Sequence, residues 1–67
     1  MRLSIDESIV RIIDQQDARM AGRLVELLRE RGLNYNQIFD RVLKVRPSVQ
    51  LAEWDALLYE ADSAEEV

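Results

Sequence analysis

The chain has 67 residues, of which 48% are hydrophobic and 33% are charged, with neither cysteine nor histidine. A chain of this length buries only about 60% of the surface that it exposes when unfolded, so it has room for one core, and we expect residues 1–67 to form a single helical domain. The missing residue types exclude disulfides, thiolate or imidazole zinc sites and catalytic triads, and we expect no cofactor.

The remaining side chains offer little for catalysis. The sequence has no Thr and one Lys, Lys44, and its glycines, Gly22 and Gly32, stand in no phosphate-binding motif. Paired carboxylates are the one catalytic option left, and on a small helical protein many acids usually form a solvated face. We therefore expect a protein that is not an enzyme. Because small chains without cross-links often gain stability by self-association, we expect a homodimer.

The net charge of −4 is distributed unevenly along the chain. Residues 1–46 contain all nine basic residues and seven acids, whereas residues 47–67 contain six acids and no base. Such asymmetry can orient partners, or pair an acidic end with another protein that has a basic surface. The alternative interpretation is an acidic tail that only aids solubility.

The sequence favours a cytoplasmic protein without a membrane association. Its N-terminus lacks the pattern of a signal peptide, and no stretch approaches the ~20 apolar residues that span a bilayer. The amphipathic C-terminal segment has acids beside its apolar side, where a helix on a membrane surface would have Lys and Arg.

The N-terminal half predicts one or two helices. Residues 4–7 fit a capping box, and apolar residues then recur at three- and four-residue spacings as far as Leu28, before a left-handed stop at Gly32. Residues 14–19 lack a large apolar side chain, and Asp17 is a good N-cap. We therefore favour two helices that meet near Asp17, with one long N-terminal helix as the alternative.

The C-terminal half predicts two further helices. Residues 34–37 fit a second capping box, for a helix that ends before Pro47. Ser48 is the expected N-cap of a last helix over residues 49 to about 61, followed by a short acidic tail at about 62–67. The predicted fold is all-α, a small bundle of three to four helices. Its expected core is a set of ten apolar residues: Ile9, Ile13, Leu24, Leu27, Ile38, Phe39, Val42, Leu51, Trp54 and Leu58.

The last predicted helix has two apolar sides, and one of them is a candidate binding surface. At about 100° per residue, Leu51, Trp54 and Leu58 share the side that we expect in the core. The second side is a narrow stripe with acids along both boundaries. The candidate partner surface comprises this stripe and one boundary: Ala52, Ala56, Tyr59, Glu53 and Glu60. Small Ala residues allow a helix to approach closely, and Tyr is favoured in interfaces, although Ala is also simply a good helix former.

These features favour a small protein–protein interaction or regulatory module, self-associating, with DNA binding as an alternative. Residues 34–61 have the order of a helix-turn-helix, but the acids of the second helix would be repelled by DNA. Residues 1–5 alternate polar and apolar before two helices, which resembles a ribbon-helix-helix repressor in outline. The chain departs from that pattern by continuing about twenty residues further and by using Ser4 as a helix cap. The DNA-binding surface would be formed by Arg2, Arg11, Arg19 and Arg23.

The acidic C-terminal third suggests one more alternative. Small acidic proteins can occupy the basic groove of a nucleic-acid-binding protein, as inhibitors and antitoxin-like regulators do. Six acids in residues 47–67 are compatible with that role. The contact would again be electrostatic, so the partner would be a protein with a basic surface.

Overall fold

The protein folds into four α-helices, and the computed structural model describes the backbone of residues 3–65 and the side chains of residues 3–63. The helices are α1 (Ile5–Gln15), α2 (Ala18–Glu30), α3 (Tyr35–Val45) and α4 (Leu51–Glu65), and residues 3–65 contain no strand. The prediction of a small all-α bundle is confirmed. Within that span, none of the helices is long and apolar enough to cross a membrane.

The first two helices are separate, as the favoured prediction has it. The Ser4 hydroxyl accepts a hydrogen bond from the Glu7 amide at 3.1 Å, and the Ser4 amide donates to the Glu7 carboxylate, which completes the capping box. Gln16 then ends α1 with a left-handed φ of 55°, and the Asp17 carboxylate caps α2 by accepting from the Met20 amide at 3.1 Å. The alternative of one long helix is wrong because this left-handed residue turns the chain.

Two local motifs join α2 to α3. At the end of α2 the amide of Leu33 donates to the carbonyl of Leu28 at 3.1 Å, and Gly32, with a φ of 96°, donates to Arg29 at 2.9 Å. This pair of hydrogen bonds is a Schellman motif, which needs the left-handed backbone that Gly adopts without a steric cost. The second capping box then starts α3, because the Asn34 side chain accepts from the amide three residues later.

The bounds of α4 differ from the prediction at both ends. Ser48 is not its N-cap, because α4 begins at Leu51 and the carbonyl of Gln50 accepts from the amides of Glu53 and Trp54. Val49 instead lies in the preceding turn, where its side chain is buried in the core. At the other end α4 extends to Glu65, so residues 62–65 of the expected tail are helical, and residues 66–67 lie outside the described part.

The core confirms half of the predicted residues. Five of the ten are buried and three more are half-buried, whereas Leu27 and Leu51 are 41% and 48% exposed. The prediction is wrong for these two, because Leu27 lies on the outer side of α2 and Leu51 is the first residue of a helix that starts later than expected. The buried apolar residues are Ile9, Ile12, Ala21, Leu24, Leu28, Ile38, Val42, Val49, Trp54, Leu57 and Ala61.

Helix α2 is central and contacts the other three helices, and α4 packs chiefly against α2. The two approach closely at Gly22, where an added Cβ would lie 3.1 Å from the Cβ of Ala61. On the other side of the bundle α1 packs against α3, and Arg46 pairs with Asp14 across them at 2.8 Å. Helix α4 is thus held on one side only, and this leaves much of its circumference in solvent.

Candidate partner surface

The predicted stripe lies on the solvent side of α4. Ala52, Ala56 and Tyr59, named here the α4 stripe, are all exposed, as are the two acids of the candidate surface, Glu53 and Glu60. The opposite side of the same helix places Trp54, Leu57 and Ala61 in the core. The structure therefore brings the five predicted residues together on one accessible face.

Tyr59 is the most exposed large apolar residue among those described, with 76% of its surface accessible. A single exposed apolar side chain is ordinary on a small protein. Tyr59 differs because Ala56, three residues earlier, and Ala52, seven residues earlier, extend the apolar surface along the same side of the helix. The result is a shallow surface with one large ring, suited to the close approach of another helix.

The acids on the two boundaries of the α4 stripe have different surroundings. Asp55, on the boundary nearer to α3, accepts a hydrogen bond from the Tyr35 hydroxyl. Burial raises the pKa of Tyr35, and the hydrogen bond and the charge of Asp55 raise it further, because both favour the protonated phenol. Glu53 and Glu60 on the other boundary are exposed, and they form an acidic edge along the stripe.

A groove of about 320 Å³ runs between α2 and α4 beside this surface. Its walls carry both signs of charge, from Arg29, Glu26 and Asp62, and Tyr35 also lines it. Sequence reasoning did not find this groove, because it depends on how two helices meet. Gly22 at its wall is the one signal in the sequence, since a Gly inside a helix often marks a close approach.

A second exposed row lies on α2. Arg19, Arg23, Leu27 and Arg31 follow one another at intervals of four residues, and all four are exposed; Arg31 is the C-cap that follows the last residue of α2. We name these residues the α2 ridge, because side chains at four-residue spacing form a continuous ridge along a helix. Sequence reasoning missed it, since it assigned Leu27 to the core.

The arginines of the predicted DNA-binding surface do not all belong to this ridge. Arg2 lies outside the described residues, and Arg11 lies on α1 beside Glu7 and Asp14 in a shallow depression of the surface. Arg19 and Arg23 are on α2. The helix-turn-helix interpretation also lacks its usual packing, because the main neighbour of α4 is α2 and not α3.

The described residues hold no group of three or more acids close enough to bind a metal ion. Comparisons with protein-family models, with curated proteins and with solved structures found no match.

Proposed function

We propose that this protein is a non-enzymatic interaction module that self-associates through the α4 stripe. The observation that carries the proposal is the exposure of Tyr59 on a helix whose other side alone is packed. Aromatic residues at the centre of a patch contribute most of the binding energy in many interfaces. Ala52 and Ala56 support it, because small side chains let two helices come within about 8–10 Å of each other.

The residue inventory supports a binding role over catalysis. Without His or Cys, the chain lacks the usual proton-transfer group at neutral pH and the strongest nucleophile. Among the described residues, Tyr35 and Asp55 form a titratable pair that joins α3 to α4, and the pKa of the Tyr35 phenol is moved further from neutrality. Such a pair ties elements together and is poorly suited to exchange protons at neutral pH.

The proposal is tested by placing charge on the stripe. Ala56→Arg with Tyr59→Arg leaves the helical circular-dichroism signal intact, because both positions are exposed, and it abolishes association. Light scattering across a concentration series measures the mass of the wild type and of the variant. Asn36→Arg, an exposed change on α3, is the matched control and keeps the mass of the wild type. A wild type that remains monomeric, or a double variant that associates like it, contradicts the proposal.

A second candidate is an acidic inhibitor of a basic protein. The observation that favours it is the exposed acidic edge of α4, a helix with five acids and no base. This role predicts that Glu53→Gln with Glu60→Gln weakens binding to a basic partner, and that salt weakens it further. Trials against a panel of purified basic proteins test it, and binding that is indifferent to both changes argues against it.

A further inference from the structure

We propose that the α4 stripe of one copy docks on the α2 ridge of a second copy, head to tail. This inference rests on the proposed function and specifies its partner surface. The two surfaces have opposite charge, since the α4 stripe is bordered by Glu53 and Glu60 and the α2 ridge carries three arginines. The chain thus contains both halves of a complementary interface.

The α2 ridge has an apolar centre between charged ends. Leu27 is 41% exposed, and Arg23 and Arg31 stand one turn before it and one turn after it. Two acids are also exposed on α2: Glu26 lines the groove toward α4, and Glu30 lies one turn after Leu27. A partner that contacts the four ridge residues therefore meets three arginines and one apolar side chain.

The spacing of charges matches on the two surfaces. Glu53 and Glu60 are seven residues apart, which is about 10.5 Å along a helix, and Arg23 and Arg31 are eight residues apart, about 12 Å. Ala56 lies between the two acids as Leu27 lies between the two arginines. The small Ala side chain leaves room for the Leu side chain when both ion pairs form.

Tyr59 adds a further contact in this arrangement. It lies three residues after Ala56 on the same side of α4, so its ring lies near the contact with Leu27, within reach of an arginine one turn from Leu27. A guanidinium over an aromatic ring is a favourable contact, and Arg stacks on rings better than Lys does. The ridge offers only arginines for this role.

A symmetric pairing of two α4 stripes is disfavoured by charge. The stripe has Glu53 and Glu60 on one boundary and Asp55 and Asp62 on the other. Whichever way the two helices run, each acidic boundary would then face another acidic boundary. Like charges placed opposite each other across an interface weaken association.

The two surfaces point away from each other within one molecule. α2 and α4 meet where Gly22 faces Ala61. Leu27 lies five residues after Gly22, and Ala56 lies five residues before Ala61, so each is turned about 140° from the contact at 3.6 residues per turn. One copy therefore uses its α4 stripe on one neighbour and its α2 ridge on another, and head-to-tail contacts of this kind form open chains or rings.

Two double variants, one with the α4 stripe disabled and the other with the α2 ridge disabled, test this arrangement. Ala56→Arg with Tyr59→Arg disables the α4 stripe, and Arg23→Glu with Arg31→Glu disables the α2 ridge. Each variant alone is expected to be monomeric over a range of roughly 10 µM to 1 mM, where small interfaces associate. An equimolar mixture has one intact stripe and one intact ridge, so it forms a 1:1 complex of twice the 7.8 kDa chain mass and grows no further. The wild type exceeds that mass as its concentration rises.

Other outcomes separate this inference from the proposed function. If the α2 variant associates like the wild type while the α4 variant is monomeric, the stripe binds another stripe, and only the head-to-tail inference is overturned. If the α4 variant associates like the wild type, or if the wild type is monomeric, both are overturned.

Arg23→Glu alone, which leaves the end of α2 unchanged, is expected to weaken association at least tenfold and serves if the double change unfolds the protein. Lys44→Glu on α3 is the charge-reversal control and leaves association unchanged.

Discussion

Trp54 is the largest fully buried side chain, and its indole Nε1 has no hydrogen-bond acceptor among the described residues. The ring supplies much of the apolar surface that joins α4 to the rest of the core. The unpartnered N–H works against this, because an unsatisfied buried donor costs about 1–3 kcal/mol. The same residue thus stabilises the fold through its area and weakens it through one atom.

Two substitutions of Trp54, both of which remove the indole N–H, test how much the aromatic ring stabilises the core. Trp54→Ala is expected to cost about 3–5 kcal/mol, a large part of the total stability of so small a domain. Trp54→Phe retains an aromatic ring and removes the unsatisfied donor, so it should cost less than half as much. Chemical denaturation followed by circular dichroism measures both free energies of unfolding. Equal losses in the two variants would contradict a stabilising role for the aromatic ring at this position.

Individual core residues were harder to predict than the helices that contain them. Leu27 and Leu28 are adjacent and equally apolar, yet Leu28 is buried and Leu27 faces solvent. Periodicity defines an apolar arc on a helix, but the neighbouring helices decide which part of the arc is covered. The apolar side of α2 packs against three helices, and only the folded structure shows which of its residues they cover.

At the scale of the element, the ends of helices were predictable wherever one side chain or one glycine forms the cap. Both capping boxes, the Asp17 cap and the stop at Gly32 depend on residues within about five positions of each other. The start of α4 was not predictable in this way. Ser48 has the right chemistry for a cap, but burial of Val49 holds the chain in a turn for two more residues.

The Tyr35–Asp55 hydrogen bond links the start of α3 to α4, two helices that otherwise pack little against each other. Tyr35→Phe removes it and is expected to cost about 0.5–1.5 kcal/mol at pH 7. Tyr59→Phe, which changes an exposed ring, is the control and stays within about 0.5 kcal/mol of the wild type. Urea denaturation measures both, and equal stabilities of the two variants would contradict the role of this link.

Tyr35→Phe also tests how the stabilisation from Tyr35 depends on pH. The pKa of Tyr35 is raised in the folded protein, so the unfolded chain loses this proton first, near its usual pKa of about 10. The stabilisation from Tyr35 is complete below that pH and declines as the pH rises above it. Because Tyr35→Phe has no such proton, the difference in unfolding free energy between wild type and variant should narrow from pH 9 to about pH 11.

At the scale of the whole molecule, the candidate surface on α4 was predictable and its proposed counterpart on α2 was not. The α4 stripe lies within one helix, so its spacing is visible in the sequence. The α2 ridge becomes visible only once Leu27 is known to be exposed. The charge distribution adds information that periodicity lacks, since the last third has six acids and no base and all nine bases lie elsewhere. Opposite charges on separate sides of one molecule favour contacts between unlike surfaces.

The salt dependence of association tests whether the two surfaces attract each other by charge. Raising the salt concentration from about 50 mM to 500 mM screens exposed charges, so contacts between the α4 stripe and the α2 ridge should weaken and the average mass at a fixed protein concentration should fall. Glu53→Gln with Glu60→Gln should associate less at low salt and lose most of the salt dependence. If two α4 stripes paired instead, the average mass would rise with salt, and the Glu53→Gln, Glu60→Gln variant would associate more strongly at low salt. Screening or neutralising the acids would then remove a repulsion. Sedimentation equilibrium at the two salt concentrations measures the average mass, and a mass that rises with salt excludes the head-to-tail arrangement.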